Sequence, residues 1–299
     1  MNEGKRRAPR TTIASDGLLV ETTAFGAEMT SLRTRPDDVE HLWQGDPAVW
    51  GGQSPVLFPF VGALAGRGFT HRGRFYPMRA HGFARDSQFE CVDRSETLVA
   101  YRLTERPDTL SSYPFPFELV VAHSVAGRTV TIAYEVRNRG RERMPFSIGG
   151  HPGLALPLGP EGVAGDFLLE FERPESCDRW VIDPATHLLL QTPEPFDLPT
   201  RRLPLATDLF ARDALVLERF RSSRATLLRA DGRPLATVSF RGFPQLGIWS
   251  KPGAPFVCIE PWFGLDDRLG FEGELSAKKG ILRLEPGEIF RCSFSILVH

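Results

Sequence analysis

Val130-Thr131-Ile132-Ala133-Tyr134-Glu135-Val136 alternates without a break: Val130, Ile132, Tyr134 and Val136 fall on one side, Thr131, Ala133 and Glu135 on the other. A period of two means an extended strand with one face buried, because successive side chains of a strand point to opposite faces. The carboxy-terminal segment repeats the pattern, with Phe290, Cys292, Phe294, Ile296 and Val298 against Arg291, Ser293 and Ser295. Shorter runs of the same kind occur around Leu18–Thr22, Met29–Arg35, Phe89–Val92, Leu98–Leu103, Phe117–Val125, Phe167–Phe171, Ala225–Leu228, Ala236–Phe240 and Ile281–Leu284. The 28 glycines and 25 prolines are spread along the whole chain, as many short strands with tight connections require. His71-Arg72-Gly73-Arg74 reads as a hairpin tip.

Helical periodicity is scarce. One or two turns are expected at Thr207–Ala211, entered at Thr207. There is no βαβ alternation, glycine-rich nucleotide loop, internal repeat or low-complexity linker. The expected architecture is an all-β fold, one large antiparallel β-sandwich in a single domain spanning residues 1–299. The first ten or so residues are charged, lack an apolar anchor and are expected to be disordered.

Composition removes whole classes of function. The net charge is -1 with 36 basic and 37 acidic residues, so no global field favours nucleic acid or anionic lipid. No run approaches the ~18 apolar residues of a membrane-spanning helix, and the amino terminus has no apolar stretch of the secretory kind. Cys91, Cys177, Cys258 and Cys292 show no paired spacing, which argues against a disulfide framework or a thiolate zinc site. A reduced, cytoplasmic protein without cofactor or metal is the expectation.

Three stretches break the alternation and concentrate aromatics, glycine, proline and titratable groups. They are Ala80-His81-Gly82-Phe83-Ala84-Arg85-Asp86, then Phe146-Ser147-Ile148-Gly149-Gly150-His151-Pro152, then Leu246-Gly247-Ile248-Trp249-Ser250-Lys251-Pro252 running on to Ile259-Glu260-Pro261-Trp262-Phe263. Glycine lets backbone approach a ligand closely. Aromatics beside polar groups suit a sugar, whose ring has an apolar face and a hydroxyl rim; Phe83, Trp249, Trp262 and Phe263 are the stacking candidates. Glu260 closes the apolar run Phe256-Val257-Cys258-Ile259, where a carboxylate must find a partner or serve a site. Asp213, after Leu209-Phe210-Ala211-Arg212, reads equally as a cap or an arginine partner, and Arg85 beside Asp86 reads as a local ion pair. His41, His71, His123, His187 and His299 are expected to be structural.

Together these stretches resemble aldose 1-epimerases of the galactose-mutarotase-like superfamily, in the branch that includes hexose-6-phosphate mutarotases. The resemblance rests on His41-Leu42-Trp43-Gln44-Gly45-Asp46-Pro47, Ser54-Pro55-Val56-Leu57-Phe58-Pro59, the HGFARD run at 81–86, YPFPFEL at 113–119, PFSIGGHP at 145–152, the Asp213 segment, and LGIWSKPGAPFVCIEPWFG at 246–264. It covers nearly the whole chain in order. It implies a large β-sandwich, Glu260 as general base, His151 as general acid, His81 as a substrate-binding histidine, Asp213 as an aspartate holding sugar hydroxyls, and Arg85 as a hydroxyl- or phosphate-binding arginine. Trp249, Phe83 and Trp262 complete the expected sugar contacts. The chain departs from relatives that read Gly-Arg where it has Gly62-Ala63, with Arg67 four residues on, so phosphate anchoring at that position is not implied.

The implied reaction is interconversion of the α and β anomers of an aldose or aldose 6-phosphate, which moves no hydride or phosphoryl group and needs no cofactor. Three rivals remain at this stage. A glycosidase would use Glu260 with Asp213 or Asp86. A metal site would use the two histidines and Glu260. A carbohydrate sensor would keep the pocket without catalysis. The sugar and the oligomeric state are left open.

Overall fold

In the computed structural model, residues 9–156, 167–206 and 208–299 are described. The alternating segments pair as their pattern dictates. A nine-stranded sheet runs in the order Arg202–Pro204, Phe167–Phe171, Arg224–Arg229, Pro234–Ser239, Ile289–Val298, Thr129–Asn138, Phe117–Ala126, Leu98–Thr104 and Glu90–Arg94. At its centre Ile132 lies opposite Phe294 and His123 in the two neighbouring strands. The strand Thr129–Asn138 alternates buried and partly exposed positions almost throughout. Among the described residues the strands of these sheets pair antiparallel, as expected for an all-β sandwich.

A second, eight-stranded sheet holds Glu194–Leu198, Glu175–Trp180, Leu215–Glu218, Gln245–Trp249, Phe256–Phe263, Ile148–Gly150 and Val56–Leu57, with Gly153–Ala155 also paired to Phe256–Phe263. A three-stranded sheet (Arg10–Ala14, Leu18–Thr23, Glu28–Thr34) and two two-stranded ribbons complete the strands. The Gly68–His71 and Arg74–Pro77 hairpin turns at Arg72 (φ 52°) and Gly73 (φ 71°), the two left-handed residues a tight hairpin turn of this twist needs.

The strand Phe256–Phe263 decides where a site can form. It is buried on both faces, so its period of two is hidden in the sequence. Val257 and Ile259 enter the large core between the two sheets, together with Leu246, Ile248, Leu215 and Leu217. Phe256 and Cys258 join a small cluster with Trp43, Trp50 and Trp249 on the other face, and Trp262 joins another with Leu57, Val216 and Leu265. Glu260 shares that second face. It stands in mid-strand, because the strand runs on through Pro261-Trp262-Phe263 instead of ending at the carboxylate.

Three expectations need correction. Residues 208–212 form successive turns, with hydrogen bonds from Leu209 N to Ala206 O and from Ala211 N to Asp208 O. They are not helical, and Thr207 lies outside the described residues. The one α-helix among the described residues is Pro107–Ser112. It opens with proline in its first turn, and the Thr109 hydroxyl accepts from Arg106 N at 2.8 Å, a start signal built from proline and a capping side chain. Arg10 is not disordered: it begins the first strand and pairs with Glu21 at 2.6 Å. Residues 1–8 lie outside the described residues. No helix among the described residues is long and apolar enough to cross a membrane.

Candidate active site

The strands Ile148–Gly150 and Gly153–Ala155 both lie antiparallel to Phe256–Phe263, with Gly149 opposite Trp262 and Gly153 opposite Cys258. The register is the same on both sides of the break, so residue 151 falls opposite residue 260. His151 Nε2 accordingly stands 3.2 Å from Glu260 Oε2. Both are buried, Glu260 to 1% and His151 to 8% exposure, yet both line a cleft of about 640 Å³, within the usual range for small-molecule sites.

Glycine makes room for this floor at two points. A Cβ on Gly247, the cross-strand partner of Glu260, would come within 2.5 Å of the Trp262 ring. Gly82 has φ 71° and passes so close to Phe58 that a Cβ would lie 2.2 Å from its carbonyl oxygen. That close passage turns His81 (φ 64°) into the cleft. Gly62 N donates to His81 Nδ1 at 3.1 Å, and His81 N donates to Gly62 O at 2.9 Å. With Nδ1 accepting, the single proton of a neutral imidazole sits on Nε2. Burial, reinforced by Arg85, lowers the His81 pKa to about 3, so the ring is a neutral donor at physiological pH.

The dyad is governed by desolvation. Burial pushes the Glu260 pKa well above the ordinary carboxylate value; an approaching Trp262 indole N–H lowers it, and Asp266 and Asp213 raise it. That N–H stops short of hydrogen-bond geometry. Burial, then His81 and Arg85, pushes the His151 pKa well below its ordinary value. Both directions favour the neutral forms, a protonated carboxyl facing a neutral imidazole, over a standing ion pair. Trp50 stacks on His151 with centroids 4.9 Å apart, and Trp249 meets both rings edge-on at 5.5 and 5.8 Å.

The structure brings together His81, Arg85, His151, Asp213, Trp249, Glu260 and Trp262 around this cleft. Arg85 donates to Ala80 O at 3.3 Å and lies 3.8 Å from Asp86, which is held more closely by Arg79 at 2.6 Å. Phe83 does not line the cleft. It packs in the main core against Phe58 and Phe117, at 6.1 and 5.8 Å between centroids, because the turn that aims His81 outward aims the ring two residues later inward. Ala63 lines the cleft and Arg67 does not. His41, His71, His123 and His299 also lie away from it, whereas His187, expected to be structural, lines its wall.

Sequence reasoning missed Trp50, His187, Lys251 as a wall residue, and Asp266. The buried Asp266 Oδ1 accepts from Ala63 N at 2.6 Å, and burial raises the Asp266 pKa to about 6. A Cβ at Gly62 would overlap its carboxylate at 2.2 Å. The adjacent Asp266-Asp267 pair after an apolar stretch was a legible signal, as was Gly51-Gly52 after Trp50.

His151, Cys258 and Glu260 offer donor atoms within 4.8 Å of one another, a group that could hold a metal ion.

Residues 9–178 match the family model described as aldose 1-epimerase. The chain is 33% identical over 295 residues to the plasmid protein LacX of Lactococcus lactis subsp. lactis, covering 96% of this chain and 98% of that protein. Its fold is similar to the structure of a galactose mutarotase related enzyme from Lactobacillus acidophilus, with TM-score 0.92, 32% identity and 97% coverage of each chain. It is also similar to a galactose mutarotase-like protein from Lactobacillus casei, with TM-score 0.89, 28% identity, and coverage of 97% of this chain and 100% of that one. A floor carrying an opposed histidine and glutamate, on a sandwich shared over almost its full length with these proteins, places the chain in the aldose 1-epimerase family.

Proposed function

We propose that the protein is an isomerase that interconverts the α and β anomers of an aldose or aldose 6-phosphate, with Glu260 as general base and His151 as general acid. The observation that carries this reading is the 3.2 Å approach of His151 Nε2 to Glu260 Oε2 on the floor of a sugar-sized cleft.

Anomer exchange opens the hemiacetal, rotates about C1–C2, and closes the ring from the other face. Opening removes the proton of the anomeric hydroxyl and delivers one to the ring oxygen. The dyad holds one proton in either arrangement, Glu260 carboxyl with neutral His151 or carboxylate with imidazolium. Sugar hydroxyls entering the cleft solvate the second arrangement, which is the competent one. Glu260 then takes the proton from the C1 hydroxyl, His151 gives its proton to O5, and closure on the opposite face reverses both transfers. Each such transfer is typically worth about 10²–10⁴-fold.

Supporting roles follow from position. His81 offers its Nε2–H as a neutral donor, and Arg85 and Asp213 are proposed to hold hydroxyls at the wall. Trp249 and Trp262 offer apolar faces to the ring, with Trp50 backing the acid. Among the described residues, Arg85 and Lys251 are the arginine and lysine side chains on the cleft wall, and they are the groups proposed to meet a 6-phosphate. The glycosidase and binding-only readings are not favoured by the family match, and a pure binder has no use for a desolvated acid–base pair. Polarimetry of freshly dissolved α-anomers, free and 6-phosphorylated, tests the proposal. Acceleration over the buffer rate supports it; sugar binding without acceleration would turn the assignment to a sensor.

A further inference from the structure

Among the described residues, nine other than glycine have a left-handed backbone, and three of them, His81, His187 and Asp213, line the cleft. His81 is accounted for by its turn over Gly62. The other two come from separate loops and meet: His187 Nδ1 lies 3.2 Å from Asp213 Oδ2. His187 (φ 57°) ends a turn in which Asp183 Oδ2 accepts from both the amide and the hydroxyl of Thr186, and His187 N donates to Asp183 O. Asp213 (φ 66°) ends the turn series at 208–213, with its Oδ1 accepting from Ala214 N at 2.8 Å.

The pair contributes little to the fold. The His187 side chain is 67% exposed and that of Asp213 29% exposed, and a polar contact so open to solvent adds next to nothing to stability. Unfavourable backbone at two joined residues is the kind of local strain that clusters at ligand contacts. The chemistry agrees. With Nδ1–H donating to Asp213 Oδ2, a neutral His187 presents Nε2 as an acceptor, and Nε2 has no partner among the described residues. Asp213 keeps lone pairs beyond the two it uses. Two acceptors of fixed separation then face the cleft from the wall, matching two hydroxyl donors on neighbouring carbons.

We infer that His187 is a substrate-positioning residue: it locks the Asp213 carboxylate and, with it, forms a two-point clamp for adjacent hydroxyls of the sugar remote from C1. The inference rests on the epimerase reading for its substrate class, and sets specificity without taking part in proton transfer at the anomeric centre.

The test measures sugar binding and turnover separately on the full chain. Equilibrium binding by ligand-observed NMR is compared for wild type, His187→Ala, His187→Asn and Asp213→Asn, alongside steady-state anomer exchange. The clamp predicts that His187→Ala raises both Kd and KM roughly tenfold, the effect of losing one charge-assisted hydrogen bond, with kcat nearly unchanged. His187→Asn keeps a donor near the Nδ1 position and recovers part of the loss. Combining His187→Ala with Asp213→Asn adds little beyond the single changes, as expected for one coupled unit. A deoxy-sugar panel identifies the hydroxyls, since removing a clamped hydroxyl weakens wild type and leaves His187→Ala unaffected. Unchanged Kd and KM in a folded His187→Ala, or a fall in kcat alone, overturns the clamp. Binding without exchange in wild type leaves the clamp measurable through Kd and rejects only the epimerase reading.

Discussion

Burial moves the proton affinities of Glu260 and His151 in opposite directions, up for the carboxyl and down for the imidazole, which favours a state with one proton on the pair. Two titrations bound that state. Below the lowered His151 pKa the pair carries two protons and lacks a base; above the raised Glu260 pKa it carries none and lacks an acid. The pH profile of kcat/KM is therefore expected to be a bell whose acid limb follows the lowered imidazole and whose alkaline limb follows the raised carboxyl, each belonging to the pair and not to one residue. An imidazolium at His151 beside an ionised Glu260 across the plateau, read by imidazole NMR of the free protein, would contradict the desolvation argument. Glu260→Gln removes the group that must be desolvated, so it is expected to raise the thermal midpoint while reducing turnover by at least about 10²-fold; differential scanning calorimetry beside the activity assay checks both signs. At this scale the sequence singled out Glu260, His151, His81 and Arg85 by neighbours dense in glycine, proline and aromatics, and the fold gathers them at one cleft. It misplaced Phe83, because an outward histidine and an inward phenylalanine two residues apart depend on the left-handed turn at His81-Gly82, which neighbouring residues suggest but do not direct.

The strand Phe256–Phe263 carries the site because its two faces do different jobs. Val257 and Ile259 close the core, Glu260 and Trp262 line the cleft, and Cys258 packs beside them against the tryptophans. Strands with one solvated face, such as Thr129–Asn138, were legible from alternation alone. Strands buried on both faces were not, which is why Glu260 read as a strand end. Gly247 tests the element directly. Gly247→Ala places a Cβ against the Trp262 ring at 2.5 Å, an overpacking expected to cost about 1–3 kcal/mol. The tilted ring should also raise KM for the sugar. Urea denaturation and steady-state kinetics measure the two effects, and a variant with unaltered stability and KM would show that the ring has free space the geometry denies it.

Across the whole molecule, buried and half-buried histidines contribute to the response to acid. His123 is 2% exposed, holds Ala27 O at 2.9 Å, and has its pKa lowered by burial to about 4; His41 is likewise lowered to about 4 and His81 to about 3. In the unfolded chain these groups take up protons below about 6.5, while in the folded chain they resist until about 4 or lower. The stability they contribute is present above 6.5 and is lost as pH falls from 6.5 towards 4. His123→Gln keeps a donor for Ala27 O without a titrating ring. It is expected to flatten this acid limb by about 3 kcal/mol, the size of the His123 shift alone, in denaturant titrations at several pH values. Parallel limbs for variant and wild type would place the acid sensitivity elsewhere. None of this was readable from the chain, since five histidines looked equally structural until the sheets assigned one to a cleft wall and others to buried positions.

The central claim is that His151 and Glu260 exchange anomers together, and exchange NMR at equilibrium between the α and β resonances of a turned-over aldose measures it most directly. Wild type is expected to show enzyme-dependent exchange. Glu260→Gln and His151→Asn should each abolish most of it while still binding the sugar, and the double variant should be scarcely worse than either. Near wild-type exchange in either folded single variant would contradict the account.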